Sequence, residues 1–70
     1  MPNLTFEDFE NDELIIFNLI ASGYTIIDIA EKMKRSKGNI NKKIKNVIKK
    51  FNAENKVVAM GKLINMGLVK

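Results

Sequence analysis

The sequence predicts a small all-α domain of four helices. Its 70 residues make one domain, and a chain of this size buries only about 60% of its unfolded surface, so its core must be simple. Pro2 is the only proline, so no proline interrupts a helix further along the chain. Apolar residues also recur at the spacing of a single helical face, which indicates amphipathic helices.

The first helix is predicted over residues 11–22. Asn11 is its expected N-cap, and Asp12 and Glu13 follow at the positive end of the helix dipole. Gly23 is the expected terminator. The side chains predicted to be buried are Ile16, Phe17, Leu19 and Ile20.

A short second helix is predicted over residues 26–33. Thr25, followed three residues later by Asp28, resembles a capping box. The residues on its core-facing side are Ile26, Ile29, Ala30 and Met33. Ser36 is the next N-cap candidate, so a tight connection joins this helix to the third, as in a helix-turn-helix.

The third helix is predicted over residues 37–51 and the fourth over residues 55–66. The third is expected to bury Ile40, Ile44, Val47, Ile48 and Phe51. For the fourth, Asn55 is the expected cap and Gly67 the terminator. Its expected core residues are Ala59, Leu63 and Met66.

The charges are segregated along the chain, whose net charge is +4. Five acidic residues lie within the first thirteen positions, with no Lys or Arg among them. From Lys32 to Lys50 there are nine cations and no acidic residue. This stretch favours a polyanionic partner, and the alternative is a helix face that is merely solvated.

The outward face of the third helix combines amines and amides without a carboxylate, which suits the DNA major groove. The residues predicted to contact bases are Asn41, Lys42, Lys45, Asn46 and Lys49. The residues predicted to contact phosphates are Thr25, Lys34, Ser36, Lys37, Lys43 and Lys50. Thr25 and Ser36 are expected to be N-caps whether or not they also contact DNA. Gly38 indicates either a close approach of α-helix and DNA backbone or a glycine that the helix merely tolerates.

The fourth helix carries a second apolar strip besides its core residues. This strip consists of Val57, Met60, Gly61 and Ile64. A helix that is apolar on two sides has two partners, so we predict a symmetric dimer through this strip, with Gly61 allowing close helix approach. The alternative is that the leading arm folds back over the strip through Leu4, Phe6 and Phe9.

The composition disfavours several classes of function. The chain has no Cys and no His, which removes thiolate and imidazole metal ligands and the usual catalytic base. No group of residues offers a nucleophile, a base and an oxyanion site together, so we expect neither an enzyme nor a cofactor. The longest strongly apolar run is Leu14 to Phe17, too short to span a membrane, and we expect a cytoplasmic protein.

From Phe9 to Val69 the chain resembles the LuxR/GerE-type helix-turn-helix domain. The matching positions are Glu13, Leu19, Ile20, Ala21, Gly23, Tyr24, Thr25, Ile29, Ala30, Glu31, Met33, Ser36, Ile40, Ile44, Asn46, Val47, Lys49, Lys50, Phe51, Asn55, Lys56, Ala59, Gly67 and Leu68. The resemblance implies a third helix in the major groove and dimerisation through the fourth. It also implies that Asn41, Lys42 and Lys45 fall where such domains contact bases.

Four residues depart from the family pattern. Asp12 stands where arginine is usual, and Arg35 stands where an aliphatic residue normally packs. Asn39 replaces a common threonine and Lys43 a common histidine. The two cations suit a DNA-binding surface, but Arg35 raises a question about the packing of the turn.

We therefore predict an acidic arm over residues 1–10 and a LuxR-type DNA-binding domain over residues 11–70. The predicted function is a transcriptional regulator that binds double-stranded DNA as a standalone homodimer, and Met1 and the arm favour a complete gene product. The alternative is an antagonist that pairs with a larger regulator protein through the fourth helix. A sigma-factor region-4-like module is a third possibility, which the spacing of Gly23, Thr25 and Ser36 fits less well.

Overall fold

The computed structural model describes residues 4–69, and within them it contains α-helices and no strand. The elements are a short 3-10 helix Phe6–Asp8, then α1 Asn11–Ala21, α2 Ile26–Met33, α3 Lys37–Phe51 and α4 Lys56–Asn65. The predicted four-helix, all-α fold is confirmed. Residues 1–3 of the predicted arm and residue 70 lie outside the described part. None of the described helices is long and apolar enough to cross a membrane.

The start of α1 differs from the prediction, because Glu10 and not Asn11 is the N-cap. Glu10 has an extended backbone, and its N–H donates to a carboxylate oxygen of Glu13 at 2.8 Å. A glutamate three residues after the cap thus satisfies a backbone donor near the helix start. The helix ends at Ala21, one residue early, and Gly23 follows at φ +95°, a conformation that favours glycine.

The connection from α2 to α3 is as tight as predicted. The N–H of Asp28 donates to the Thr25 hydroxyl, and the N–H of Thr25 donates to the Asp28 carboxylate, which completes a capping box. After Met33, Lys34 adopts a left-handed conformation, with φ +57°. Ser36 then caps α3 by accepting a hydrogen bond from the N–H of Asn39. The predicted bounds of both helices are confirmed.

α3 lies at the centre of the fold and packs against α1, α2 and α4. Its fully buried side chains are Ile40, Ile44 and Val47, while Ile48 and Phe51 are half-buried against the same core. From α1 the core receives Leu14, Ile16 and Phe17. The predicted core residues Leu19 and Ile20 are only half-buried, because the buried side of α1 is centred nearer its N-terminus.

The caps predicted for α4 are present. Asn55 accepts a hydrogen bond from the N–H of Val58 through its side chain, and Gly67 follows the helix at φ +77°. Ala59 and Leu63 are fully buried against the core, and Met66 is half-buried against it. One side of α4 therefore seals the bundle, as the sequence predicts.

The leading arm packs on α3 and not over the apolar strip of α4. Phe9 is 7% exposed, and the centroid of its ring lies 5.3 Å from that of Phe51. Phe6 remains 58% exposed, and Val57 on α4 is 71% exposed. The alternative in which the arm covers this strip is therefore wrong for Phe6 and Phe9, because Phe9 packs beside Phe51 and Phe6 stays exposed.

A buried carboxylate joins α1 to the end of α3. The Glu13 side chain is 1% exposed, and one of its oxygens lies 2.6 Å from Nζ of Lys50. Its second oxygen, Oε2, is buried and has no hydrogen-bond partner among residues 4–69. The Lys50 ammonium also lies 5.3 Å from the centroid of the Phe9 ring, which is cation–π geometry. Because a buried charge needs a counter-charge, this pair fixes the position of α3 against α1.

We expect Phe9→Ala to lower the free energy of unfolding by about 3 kcal/mol, because it empties a buried aromatic site beside Phe51. Urea denaturation followed by circular dichroism measures the loss. Phe6→Ala is the matched control, and as an exposed position it should change stability by less than about 0.5 kcal/mol. Equal losses for the two variants would contradict the placement of the arm.

We expect Lys50→Met to destabilise the domain by about 2–3 kcal/mol, since the Glu13 carboxylate would stay buried without its cation. Lys49→Met, at the exposed neighbouring position, is the control and should have little effect. Adding Glu13→Gln to Lys50→Met should recover part of the loss, because the buried charge is then removed. Similar stabilities for the Lys50 and Lys49 variants would show that the ion pair does not support the fold.

Candidate nucleic-acid interface

The outward side of α3 presents the residues predicted to contact bases. The side chains of Asn41, Lys42, Lys45 and Lys49 are exposed, and Asn46 is half-buried. They lie outward because the apolar residues of α3 hold its opposite side in the core. The face has no carboxylate of its own over the whole of Lys37–Phe51. It can donate hydrogen bonds to acceptor atoms of bases and phosphates.

Four residues predicted to contact phosphates, Thr25, Lys34, Ser36 and Lys37, are exposed around the helix-turn-helix. The corner between α2 and α3 forms an open groove of about 500 Å³. Its lining residues are Ile27, Ala30, Glu31, Lys34, Arg35, Ser36 and Lys37. The structure thus brings three cations to the N-terminal end of α3, where the helix dipole also favours anions.

The other two, Lys43 and Lys50, are already engaged with carboxylates. Nζ of Lys43 lies 3.0 Å from Glu10, and Nζ of Lys50 lies 2.6 Å from Glu13. Both lysines lie on the flank of α3 that faces the start of α1, since seven residues are close to two helical turns. These two ion pairs were not predicted from the sequence. The acidic start of the chain and the cations of α3 are sequence features from which such ion pairs could have been expected. Only the packing of α1 on α3 shows which charges pair.

Two of the departures from the family pattern bind each other. Nη2 of Arg35 lies 2.7 Å from Oδ2 of Asp12, and Nη1 of Arg35 donates to the side-chain oxygen of Asn39 at 3.3 Å. Arg35 therefore does not replace an aliphatic residue inside the turn. Its guanidinium lies at the surface between α1 and the first turn of α3, and the helices on either side of the turn keep their predicted bounds.

The pKa of Glu10 lies below its ordinary value of 4.5. The main causes are the hydrogen bond from Lys43 and the charge of that ammonium. Burial acts in the opposite direction, and the charges of Lys50 and Arg35 add smaller lowering effects. Glu10 thus remains a carboxylate near neutral pH, beside the flank of α3.

Gly38 lies in the first turn of α3, where the fold leaves room for a larger residue. A Cβ at this position would meet only the hydroxyl oxygen of Ser36, at an ordinary distance of 3.9 Å. No packing contact within the described range, residues 4–69, therefore requires glycine at this position. The room beside Gly38 is on the same exposed surface as the cations around the turn.

The second side of α4 forms an exposed apolar strip. Val57 is 71% exposed and Ile64 is 47% exposed, with Gly61 exposed between them. A Cβ on Gly61 would meet no atom of the described residues within 4 Å, so their packing does not need glycine there. Met60, which the sequence analysis assigned to the strip, is half-buried and packs against the core. The strip left open in this chain is therefore Val57, Gly61 and Ile64.

Comparisons with known proteins agree with this geometry. No curated protein matches the chain significantly. A solved structure described as "Structure of Transcription factor, GerE" superposes with a TM-score of 0.86 at 26% identity, covering 89% of this chain and 92% of that one. The model of the family described as "Bacterial regulatory proteins, luxR family" matches residues 11–62. This chain therefore belongs to the luxR family of bacterial regulatory proteins, a family of DNA-binding regulators.

Proposed function

We propose that this protein is a sequence-specific transcriptional regulator that acts in the cytoplasm as a homodimer and inserts α3 into the major groove of double-stranded DNA. The single observation that carries the proposal is the two-sided α3. Its apolar side is held in the core, and its outward side offers exposed lysines and asparagines free of carboxylates. A major groove admits one helix of this kind.

The proposed roles of the residues follow from their positions. Base contacts are assigned to Asn41, Lys42, Lys45, Asn46 and Lys49. Phosphate contacts are assigned to Thr25, Lys34, Ser36 and Lys37, which surround the start of α3. Lys43 and Lys50 stay predicted phosphate contacts, but each would bind a phosphate only after leaving or sharing its carboxylate. We therefore propose that the specific complex relies mainly on the other four.

The exposed strip of α4 supports dimerisation. Val57 and Ile64 present apolar surface to solvent, and Gly61 lies between them with nothing to fill the space beside it. Two such helices in a symmetric pair would cover each other's strip at close range. A symmetric dimer reads a two-fold related site whose half-sites lie about one helical turn of DNA apart.

We expect Lys45→Ala to weaken binding and to relax the preference at one base position, because Lys45 is assigned a base contact. Lys37→Ala should weaken binding to all sequences alike, because a phosphate contact carries no base preference. Selection of bound fragments from random duplexes by the wild-type protein supplies the site. Binding to that site and to random duplex is then measured over a salt series.

Lys62→Ala is the charge-matched control for both variants, since Lys62 is an exposed cation on α4. It should leave the affinity nearly unchanged at moderate salt. If wild-type protein showed no salt-dependent binding to any duplex, the proposed function would be wrong. If Lys45→Ala and Lys37→Ala lowered specific and random binding equally, direct base contact by Lys45 would be wrong.

We expect Gly61→Ala to stabilise the monomer by up to about 1 kcal/mol, because alanine favours a helix interior and its methyl group meets no atom within 4 Å in the described part of the chain. The same variant should weaken the dimer, in which the helices approach at Gly61. Sedimentation of the free protein at micromolar concentration measures the association, and thermal unfolding measures the stability.

Ile64→Glu tests the same surface more severely, because it places a charge within the apolar strip. Ile15→Glu is its control, since Ile15 is 45% exposed on α1, away from this strip. Ile64→Glu should abolish association, and Ile15→Glu should leave it intact. A wild-type protein that stays monomeric both alone and on DNA would contradict the dimer.

A second candidate function uses the same strip of α4. A larger luxR-type regulator could pair through its own fourth helix with Val57 and Ile64, and this chain would then act as an antagonist. Mixing the chain with a purified full-length regulator of the family tests this function. Loss of the regulator's DNA binding that is reversed by Ile64→Glu would favour it over the homodimer.

A further inference from the structure

Three carboxylates at the start of α1 each reach a different cation of the DNA-binding half. Two of these pairs, Glu10 with Lys43 and Asp12 with Arg35, lie at the surface. The Glu10 side chain is 56% exposed and the Asp12 side chain 29%. The Lys43 side chain is 16% exposed and the Arg35 side chain 36%, so each pair is only partly open to solvent. Because ion pairs in contact with solvent are screened, we expect these two pairs to contribute modestly to stability. Their larger effect is on the charge that the domain presents to its surroundings.

Both pairs border the surface that we assign to DNA. Lys43 follows Lys42 directly on α3, about 100° further around the helix and on the flank toward α1. Arg35 lies in the turn before α3, and its second nitrogen holds the side chain of Asn39 in the first turn of α3. The carboxylates therefore line one edge of the outward face and leave its centre open.

We propose that Glu10 and Asp12 are specificity-determining residues, which neutralise Lys43 and Arg35 and so restrict DNA contact to the centre of the outward face of α3. The inference rests on the proposed function, DNA binding through α3. It adds a function to residues that lie outside α3 and are not among the proposed base contacts. It also gives a role to the pairing of Asp12 with Arg35, which replaces the residues usual in the family.

The physical reason is the difference between random and specific binding. Random DNA is bound through phosphates in many orientations, and each additional free cation on any side of the helix adds to that affinity. A phosphate that approached the flank would have to displace Glu10 from Lys43 and would then lie beside a carboxylate. Contacts from the centre of the face, such as those of Lys42 and Lys45, need neither cation to be released. The acidic edge therefore lowers random binding more than specific binding.

The experiment compares Glu10→Gln and Asp12→Asn with wild type on two duplexes, the site selected by the wild-type protein and a random sequence. Each substitution keeps the size of the side chain and removes its charge. A freed cation that neutralises one phosphate increases the slope of log K against log salt concentration by about 0.9. Near 0.1 M salt this corresponds to binding that is tighter by up to about eightfold. We expect that gain on the random duplex and less than about a twofold change on the selected site.

Glu7→Gln is the control for net charge. Glu7 is exposed in the 3-10 helix three residues before Glu10 and forms no ion pair with any described residue. Glu7→Gln changes the net charge by the same amount as Glu10→Gln but releases no cation. It should therefore leave the affinities for the selected site and for the random duplex nearly unchanged. A gain on random DNA as large with Glu7→Gln as with Glu10→Gln would overturn the inference, since the effect would then be one of total charge.

A double substitution tests whether Lys43 is the cation released. In a Lys43→Gln background, Glu10→Gln should no longer tighten random binding. A gain that persists there, or an equal gain on both duplexes, would overturn the inference. These results are distinct from failure of the proposed function, in which the wild-type protein itself would bind no duplex. Thermal unfolding of each variant shows that it is folded, and Asp12→Asn supplies an independent test if Glu10→Gln is not.

Discussion

The structure depends on one constraint, that α3 must be buried on one side and open on the other. Its apolar residues Ile40, Ile44 and Val47 lie in the core between the other three helices. Their burial orients the helix, and the lysines and asparagines of the opposite side are exposed as a result. The packing that stabilises the domain is therefore also what presents the proposed DNA-binding face.

The charges of the chain are arranged around the same helix. Glu13 is buried and holds Lys50 at the end of α3, where Phe9 and Phe51 close the site. Glu10 and Asp12 are partly exposed to solvent, and we expect their ion pairs to contribute only modestly to stability. Acidic residues that are close together in the sequence thus have different roles. The Glu13 carboxylate helps to hold α3 against α1, whereas Glu10 and Asp12 limit which cations remain open to a polyanion.

The glycines of the helices are informative because the fold does not need them. Among the residues that the structure describes, neither Gly38 nor Gly61 has a neighbour that would exclude a Cβ, and glycine within a helix lowers the stability of that helix. Residues that cost stability without a contact inside the chain are candidates for contact with a partner. Gly38 lies on the proposed DNA-binding side and Gly61 lies in the exposed strip of α4, which agrees with the two partners proposed here.

The sequence by itself determined the number of helices, nearly all of their bounds and the two sides of α3, because periodic apolar residues and caps are local signals. It also determined the family, since the motif residues from Gly23 to Gly67 keep their spacing. It did not determine the cap of α1, where a backbone hydrogen bond to Glu13 selected Glu10 over Asn11. Nor did it place Phe9 on Phe51, which settled where the arm lies.

Only the tertiary structure decided which charges are free and which are paired. Lys42 and Lys43 are neighbours in the sequence and look alike there, yet α1 packs beside one flank of α3, so a carboxylate reaches Lys43 and leaves Lys42 open. The partners of Lys43 and Lys50 lie 33 and 37 residues away in the chain. Residue periodicity carries no information about such distant contacts, because they depend on how two helices are oriented against each other.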